Sequence, residues 1–519
     1  MTWSFGEIFA GIDGVVDPDS AALIHGDHVT SWRDFDRRTD ALAAAFLAAG
    51  AVTGDKVAHL MRNSPAYLET TIAAFKARMV HVNVSYRYTG SELFYILDNS
   101  DAAVVVYDAE FATVIDTLRP SLPKVRLYIQ VGGEADGFNT IANGPHTLQP
   151  QSHRGDDMLF IYTGGTTGLP KGVMWDQAAL FTLLGGGAPG PGEAMPATLA
   201  DHFANIAAGR GHQRSLIMPP LMHGSGFVVA IMTLARGGCI VTLAGRGFEP
   251  AEVFAVCTKY APDYAVIVGD AFARPLLRAL DAGGGSIVGL RTIISSGTMW
   301  SPEIKAGLLR HNPELLIIDA LGSSESIGMG VATQTSATIG APTRFVHDTQ
   351  TRVLDEHLRP VVPGSGVMGR IARGGLMPRG YYKDLEKTAE TFIEVDGERL
   401  TLAGDWATVD ADRTIMLLGR GSQCINTGGE KVFPEEVEEA LKTHAAVEDA
   451  LVFGVADPEW GQAVTAVVEG TPVDPAALIA HVRTQLAGYK TPKRIVMVEK
   501  VPRGPNGKPD YARAQELAG

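Results

Sequence analysis

The stretch DMLFIYTGGTTGLPKGVMW, residues 157–175, decides both the fold and the chemistry of this chain. Residues 158–162 are apolar and aromatic over strand length, which predicts a buried strand. It runs straight into Thr163, Gly164, Gly165, Thr166, Thr167, Gly168, Leu169, Pro170, Lys171 and Gly172. The glycines let backbone N–H groups approach an anion with no Cβ in the way. Thr163, Thr166 and Thr167 add hydroxyl donors and Lys171 adds a cation, a set suited to a triphosphate tail. The spacing differs from the nucleotide-kinase pattern G-x-x-x-x-G-K-[ST]: Lys171 stands three residues after Gly168 and is followed by Gly172. Taken alone, the segment also reads as a Ser/Thr/Gly surface loop.

Outward from this loop, helices and strands alternate. Residues 31–49 carry apolar side chains at helical spacing and stop at Gly50, and a second helix is predicted over 64–77. Short β-branched runs recur near Val104, Leu127, Ile240, Val266, Ile293 and Ile317, most of them bounded by Gly, Pro or Asp. That alternation predicts an α/β architecture with buried sheets. The texture changes after Met368: GRIARGG (369–375) and TIMLLGR (414–420) read as strands of a smaller, partly antiparallel element. A Gly-rich stretch, 419–431, precedes a helix that starts at Pro434. The remainder reads as a β–α–β module. The expected division is a large N-terminal domain of packed β-sheets and helices, 1–419, and a small mobile α+β C-terminal domain, 420–519. Residues 184–192 (LGGGAPGPG) are too rich in Gly and Pro for regular structure. GSGVMG (364–369) fits a dinucleotide fingerprint, but it follows Pro363 and runs into a strand, so it reads as a turn.

A length of 519 residues predicts two or three domains. The formal net charge of −14 argues against a nucleic-acid partner, because phosphate backbones are bound through excess Lys and Arg. Cys239, Cys257 and Cys424 are scattered, which gives neither a disulfide framework nor a zinc site. The first residues carry acids where a signal peptide carries bases, and no apolar run approaches the roughly 20 residues of a membrane span. A cytoplasmic protein is expected; a homodimer is left open.

Further motifs in order along the chain make the phosphate loop resemble the signature loop of the adenylate-forming superfamily. This AMP-binding group includes acyl-CoA synthetases, peptide-synthetase adenylation domains and beetle luciferases. The resemblance covers nearly the whole chain, and its wording is most similar to actinobacterial ligases for fatty acids and steroid side chains. Gly164 stands where the family usually has Ser. LGSSE (321–325) resembles the aromatic-Gly-x-Thr-Glu element. That implies Mg²⁺ on Glu325, α-phosphate contact from Ser324, and Leu321, Gly322 and Ser323 about the base, with Leu321 in place of the usual stacking aromatic. SSGTMW (295–300) is similar to the adenine-edge loop, which implicates Ser296 and Gly297. AGD (403–405) implies that Asp405 accepts the ribose hydroxyls, with Arg420 reaching the same sugar. VPRGPNGKPD (501–510) resembles the family's ending, which makes Lys508 its catalytic lysine. PPLMHGSGF (219–227) places His223 beside the acyl pocket. Ser422 falls at the hinge position, and Gly428 and Gly429 at the pantetheine tunnel. On its own, Lys508 reads as solvated surface and His223 as an ordinary hydrogen-bonded histidine.

The resemblance implies an ATP-dependent acyl-CoA synthetase that joins a carboxylic acid to coenzyme A through an acyl-adenylate, with Mg²⁺. PLMHGSG offers no Asp to hold a substrate ammonium, so the acid is expected to be uncharged apart from its carboxylate. Gly224, Ser225, Gly226, Gly322, Gly328 and Gly330 suggest a roomy apolar pocket for a fatty or alicyclic acid. The alternatives are a free-standing adenylation enzyme that loads a carrier protein and a non-catalytic nucleotide-binding relative.

Overall fold

The computed structural model describes residues 3–163, 169–190, 192–298, 300–339, 343–427, 430–458, 460–504 and 507–519. Among them the strands form four sheets. The phosphate-loop strand Met158–Thr163 lies inside a seven-stranded sheet, between Val80–Asn83 and Lys171–Asp176. It runs parallel to the first and antiparallel to the second, so residues 163 and 171 pair across the mouth of a hairpin. Six of its side chains in a row, MLFIYT, are apolar, aromatic or β-branched, as a strand covered on both faces requires.

The second large sheet has eight strands. Its centre is the parallel set Thr292–Ser296, Tyr264–Ile267, Arg214–Ile217 and Cys239–Thr242, with Leu316–Leu321 beside the first. The helix Gly224–Ala235 is apolar nearly all round and buried. Its Phe227 stacks on His81 of the first sheet at 4.2 Å between ring centroids. One core cluster takes in Leu159 and Ile161 from the first sheet, Ile217 and Val266 from the second, and Phe227 and Ile231 from this helix. The predicted helices at 31–49 and 64–77 appear as Trp32–Ala48 and Pro65–Lys76, and the Ser31 side chain caps the first by accepting from the Asp34 N–H at 3.1 Å.

A third, six-stranded sheet holds Gly369–Arg373, Asp405–Val409 and Ile415–Arg420. A short 3-10 turn at 421–423 leads on to Ile425–Thr427, which belongs to a fourth, five-stranded sheet. This last region is richer than the β–α–β expected. Val447–Asp457 and Gly461–Gly470 make a long antiparallel hairpin, and Arg494–Val498 joins it in parallel. Ile425–Thr427 and Glu430–Val432 add two strands of three residues each, too short and polar to carry a period-2 signal. Residues 184–189 are irregular, as expected, and a turn at 362–365 is closed by the Ser365 N–H on the Val362 carbonyl at 3.1 Å.

Candidate active site

Open parallel sheets bind ligands outside the carboxyl ends of their strands. Here Thr292–Ser296, Leu316–Leu321 and Met158–Thr163 end in the three segments picked out from the sequence. A cavity in front of the second sheet is lined by Ser295, Gly297, Leu321, Gly322, Asp405, Arg420 and Lys508. Gly297 has φ +93°, a left-handed turn that glycine takes without strain.

Asp405 and Arg420 stand directly opposite each other on adjacent antiparallel strands, and Arg420 Nε lies 3.4 Å from Asp405 Oδ1. Asp405 Oδ2 is buried and has no hydrogen-bond partner. Burial pushes this carboxyl up, while Arg420 and then Lys508 pull it back toward ionisation. An acceptor held by one cation and open on its other oxygen matches a vicinal diol.

Lys508 comes from the far end of the chain and enters the same cavity. Its side chain keeps contact with water there although protein surrounds it. Burial and then Arg420 push its ammonium below the ordinary lysine range, and Glu325 and Asp405 oppose that shift. The turn that carries it presses on the second sheet at Gly507. A Cβ at Gly507 would stand 2.7 Å from the Ala271 Cβ and 3.1 Å from the Val268 carbonyl oxygen.

Glu325 accepts a hydrogen bond on Oε1 from the Tyr381 hydroxyl at 2.9 Å. Trp175 Nε1–H donates to the Ser324 carbonyl at 2.9 Å, which ties residues 321–325 to the return strand of the phosphate hairpin. An ideal Cβ on Gly224 would lie 3.9 Å from the Ser324 Oγ, so the Glu325 turn and the His223 turn face each other. His223 starts the buried helix. Burial, then Lys508 and Arg87, push its imidazole down to about 4, so it is neutral at ordinary pH. Ser296 closes its strand opposite Ala320, and the Ser323 Oγ is buried without a partner. Lys171 is ion-paired with Asp384. Gly164, Gly165, Thr166, Thr167 and Gly168 of the phosphate loop, and Gly428 and Gly429 of the expected tunnel, lie outside the described residues.

Several residues that matter here were not singled out from the sequence. Asn83 Nδ2 donates to the Tyr162 carbonyl at 2.8 Å and the Met222 carbonyl at 2.7 Å, and its Oδ1 accepts the Tyr162 N–H at 2.6 Å. It therefore fixes the phosphate-loop strand and the residue before His223 together. Asn63 does the same for the PPLM turn, donating to the Pro219 carbonyl at 2.9 Å and accepting the Leu221 N–H at 2.7 Å. An Asn closing a short β-branched strand, VHVN, was the available signal for Asn83; Tyr381 had none.

The AMP-binding enzyme family matches residues 14–382 and its C-terminal domain matches residues 436–508. The chain belongs to that family. It is an acid–thiol ligase of the AMP-forming kind, as its relatives are named CoA ligases over nearly their whole length. It is 37% identical over 526 residues to 3-oxocholest-4-en-26-oate–CoA ligase of Rhodococcus rhodochrous, with 97% of this chain and 94% of that protein covered. With medium/long-chain-fatty-acid–CoA/3-oxocholest-4-en-26-oate–CoA ligase of Mycobacterium marinum it shares 38% identity over 527 residues, again 97% and 94% of the two chains. The crystal structure of an anthranilate CoA ligase bound to anthranoyl-AMP superposes with a TM-score of 0.83 at 21% identity, covering 99% of this chain and 97% of that one, which establishes the shared fold. Among the described residues no helix is long and apolar enough to cross a membrane.

Proposed function

We propose that this chain is an ATP-dependent acyl-CoA synthetase for a hydrophobic carboxylic acid, fatty or alicyclic, that works through an acyl-adenylate. The observation that carries the reading is the meeting of Lys508 with Asp405 and Arg420 in one cavity, beside Leu321 and Gly322. The lysine lies about a hundred residues after the ribose acceptor, in a turn beyond the last strand, while Asp405 stands on a strand of the third sheet. The apolar acid is supported by the names of the two relatives, which act on medium- and long-chain fatty acids or a steroid acid.

A carboxylate becomes a usable electrophile once it is adenylated. Its oxygen attacks the α-phosphorus of ATP, the bond to the bridging oxygen breaks, and pyrophosphate leaves. Charge builds on the phosphoryl oxygens, so the protein's task is positioning and charge stabilisation. Asp405 fixes the ribose through its open Oδ2, Leu321 and Gly297 border the base, and the Lys508 ammonium bridges carboxylate and α-phosphate. Neutral His223 lines the acyl side without adding a charge that would compete for the carboxylate. Among the described residues no cluster of three or more metal-binding side chains exists. Glu325, with Oε1 held by Tyr381, would hold Mg²⁺, an ion for which a single protein carboxylate is enough. When bound, Mg²⁺ neutralises triphosphate charge. In the second half-reaction the coenzyme A thiolate attacks the acyl carbon and AMP leaves, with the module after Arg420 turning at Ser422 to present Gly428 and Gly429.

Coupled AMP and pyrophosphate release with Mg-ATP, coenzyme A and a panel of acids tests the proposal. AMP forms only when acid and coenzyme A are both present, and best with long-chain or sterol-derived acids. Lys508→Ala slows adenylation by about 3–4 kcal/mol, the scale of one preorganised transition-state donor. Release of ADP, turnover indifferent to Lys508, or best turnover with acetate or an amino acid would overturn it. Turnover that needs a carrier protein and ignores coenzyme A would shift the acceptor.

A further inference from the structure

We infer that Tyr381 is a positioning residue for adenylation, a phenol that holds the Glu325 carboxylate in the orientation in which it receives the metal–triphosphate. The inference rests on the role proposed above for Glu325. A buried tyrosine must place its hydroxyl on an acceptor, and most find a backbone carbonyl or water. Tyr381, only 6% exposed, spends that hydrogen bond on the one carboxylate assigned to the metal, at 2.9 Å.

The phenol is itself rigidly held. Residues Gly380 and Tyr381 pair with Met174 and Val173 on the return strand of the phosphate hairpin. The Tyr381 N–H donates to Thr388 Oγ1 at 2.9 Å, and that hydroxyl donates in turn to the Asp384 carbonyl at 2.6 Å. Gly380 has φ +146°, and a Cβ there would meet Thr388 Cγ2 at 2.4 Å, so the backbone approaches as closely as glycine permits. The ring packs edge-on to Phe392, with centroids 6.0 Å apart.

The same short segment carries Asp384, which is paired with Lys171. Tyr382 N–H also donates to the Gly172 carbonyl at 2.8 Å. Residues 380–384 thus hold Glu325 and the phosphate-loop lysine from one side. The cation that also acts on Glu325, Lys508, belongs to the C-terminal module. Tyr381 belongs to the body that carries Glu325, so the carboxylate keeps its orientation whichever way that module stands.

The test is Tyr381→Phe, which removes one oxygen and keeps the ring and its packing. Calorimetry with a non-hydrolysable ATP analogue, with and without Mn²⁺, and Mn²⁺ paramagnetic resonance read binding without turnover. The metal–nucleotide complex binds about tenfold more weakly, the worth of one hydrogen bond to a charged acceptor. The metal-free nucleotide binds as before, and the KM for acid stays unchanged while that for Mg-ATP rises. In a Glu325→Ala background Tyr381→Phe has no further effect. An unchanged metal–nucleotide affinity, an equal loss for the metal-free nucleotide, or a full extra loss in the Glu325→Ala background would each overturn the inference. If Glu325→Ala alone leaves metal–nucleotide affinity intact, the role assigned to Glu325 falls and this inference with it.

Discussion

Replacing Gly507 with Ala separates the two half-reactions without touching a charged group. Gly507 precedes Lys508 in a turn closed by its own N–H on the Gly504 carbonyl at 2.9 Å, and it has φ +71°. Two penalties follow. Alanine in the left-handed region is strained by about 1–2 kcal/mol, and that strain is present whether or not the turn is docked. The new methyl also stands 2.7 Å from the Ala271 Cβ and 3.1 Å from the Val268 oxygen, and this clash exists only when Lys508 is in the cavity. Overpacking of that kind costs about 1–3 kcal/mol, which lowers the docked population about 5- to 150-fold. Adenylation, read by acid-dependent pyrophosphate exchange, falls by that factor. Thioester formation from synthetic acyl-adenylate and coenzyme A is unchanged. Ala271→Gly removes the opposing methyl at a helix penalty of about 1 kcal/mol and recovers most of the loss in the double variant. Equal losses in both half-reactions, or no rescue by Ala271→Gly, would refute the docking argument.

Asn83→Ala orphans the Tyr162 N–H and the Met222 carbonyl in the interior, at about 1–3 kcal/mol each. Urea unfolding reads the loss of stability. Adenylation by the folded fraction falls more than stability requires, because the phosphate-loop strand and His223 lose their common anchor; an activity loss explained by unfolding alone would contradict this. Two pH slopes of opposite sign follow from buried groups. His223, held down at about 4, and His59, held down at about 3 by burial, stay neutral in the fold. The unfolded chain takes up their protons near the ordinary 6.5, so stability is full above that pH and falls as pH drops toward 4; His223→Gln flattens that fall. Glu435 is pushed up to about 8, by burial first and then by Glu438, so its share of stability is present below its ordinary 4.5 and is lost as pH rises through 8. Glu435→Gln removes that loss. Urea midpoints of the two variants against pH check both signs, and parallel curves with the parent protein would refute them.

The parts of the site legible in the sequence were those whose chemistry is carried by local order: the apolar strand before the phosphate loop, the acid in AGD, the lysine in the final Gly-Lys turn. The sequence could not display what joins them. The fifteen-residue step from Asp405 to Arg420 is the register of an antiparallel pair, with a bulge at Trp406, and only pairing puts the two side chains face to face. Asn83 acts across 79 residues to Tyr162 and 139 to Met222, and an asparagine in a strand carries no mark of which carbonyls it will meet. Tyr381 reads as a core aromatic because its ring is one, and only its oxygen reaches Glu325. The C-terminal module was underread for a different reason: its second strand pair is built from three-residue runs that gain their stability from the long hairpin beside them.

The seam between that module and the rest of the chain is chemically unlike a domain core, and this bears on how Lys508 can work. Lys442 stands 3.9 Å from Asp270, whose carboxylate also takes the Ser301 N–H at 3.0 Å and Arg274 at 3.0 Å. Arg503 forks onto Asp449 at 2.6 and 2.8 Å just behind, and Glu435 and Glu438 border the same cavity. Arg278 and Glu448 pair across the outer edge. A seam of packed leucines would hold with about 25 cal/mol for every Å² of apolar surface, nearly all of it lost on opening. Charged groups exchange protein partners for water on separation, and buried pairs lie close to break-even against their hydration. Docking is then held loosely and aligned by shape, through the fit of Gly507 under Val268 and Ala271. That combination suits the role proposed for Lys508, placed accurately for adenylation and withdrawn for thioester formation.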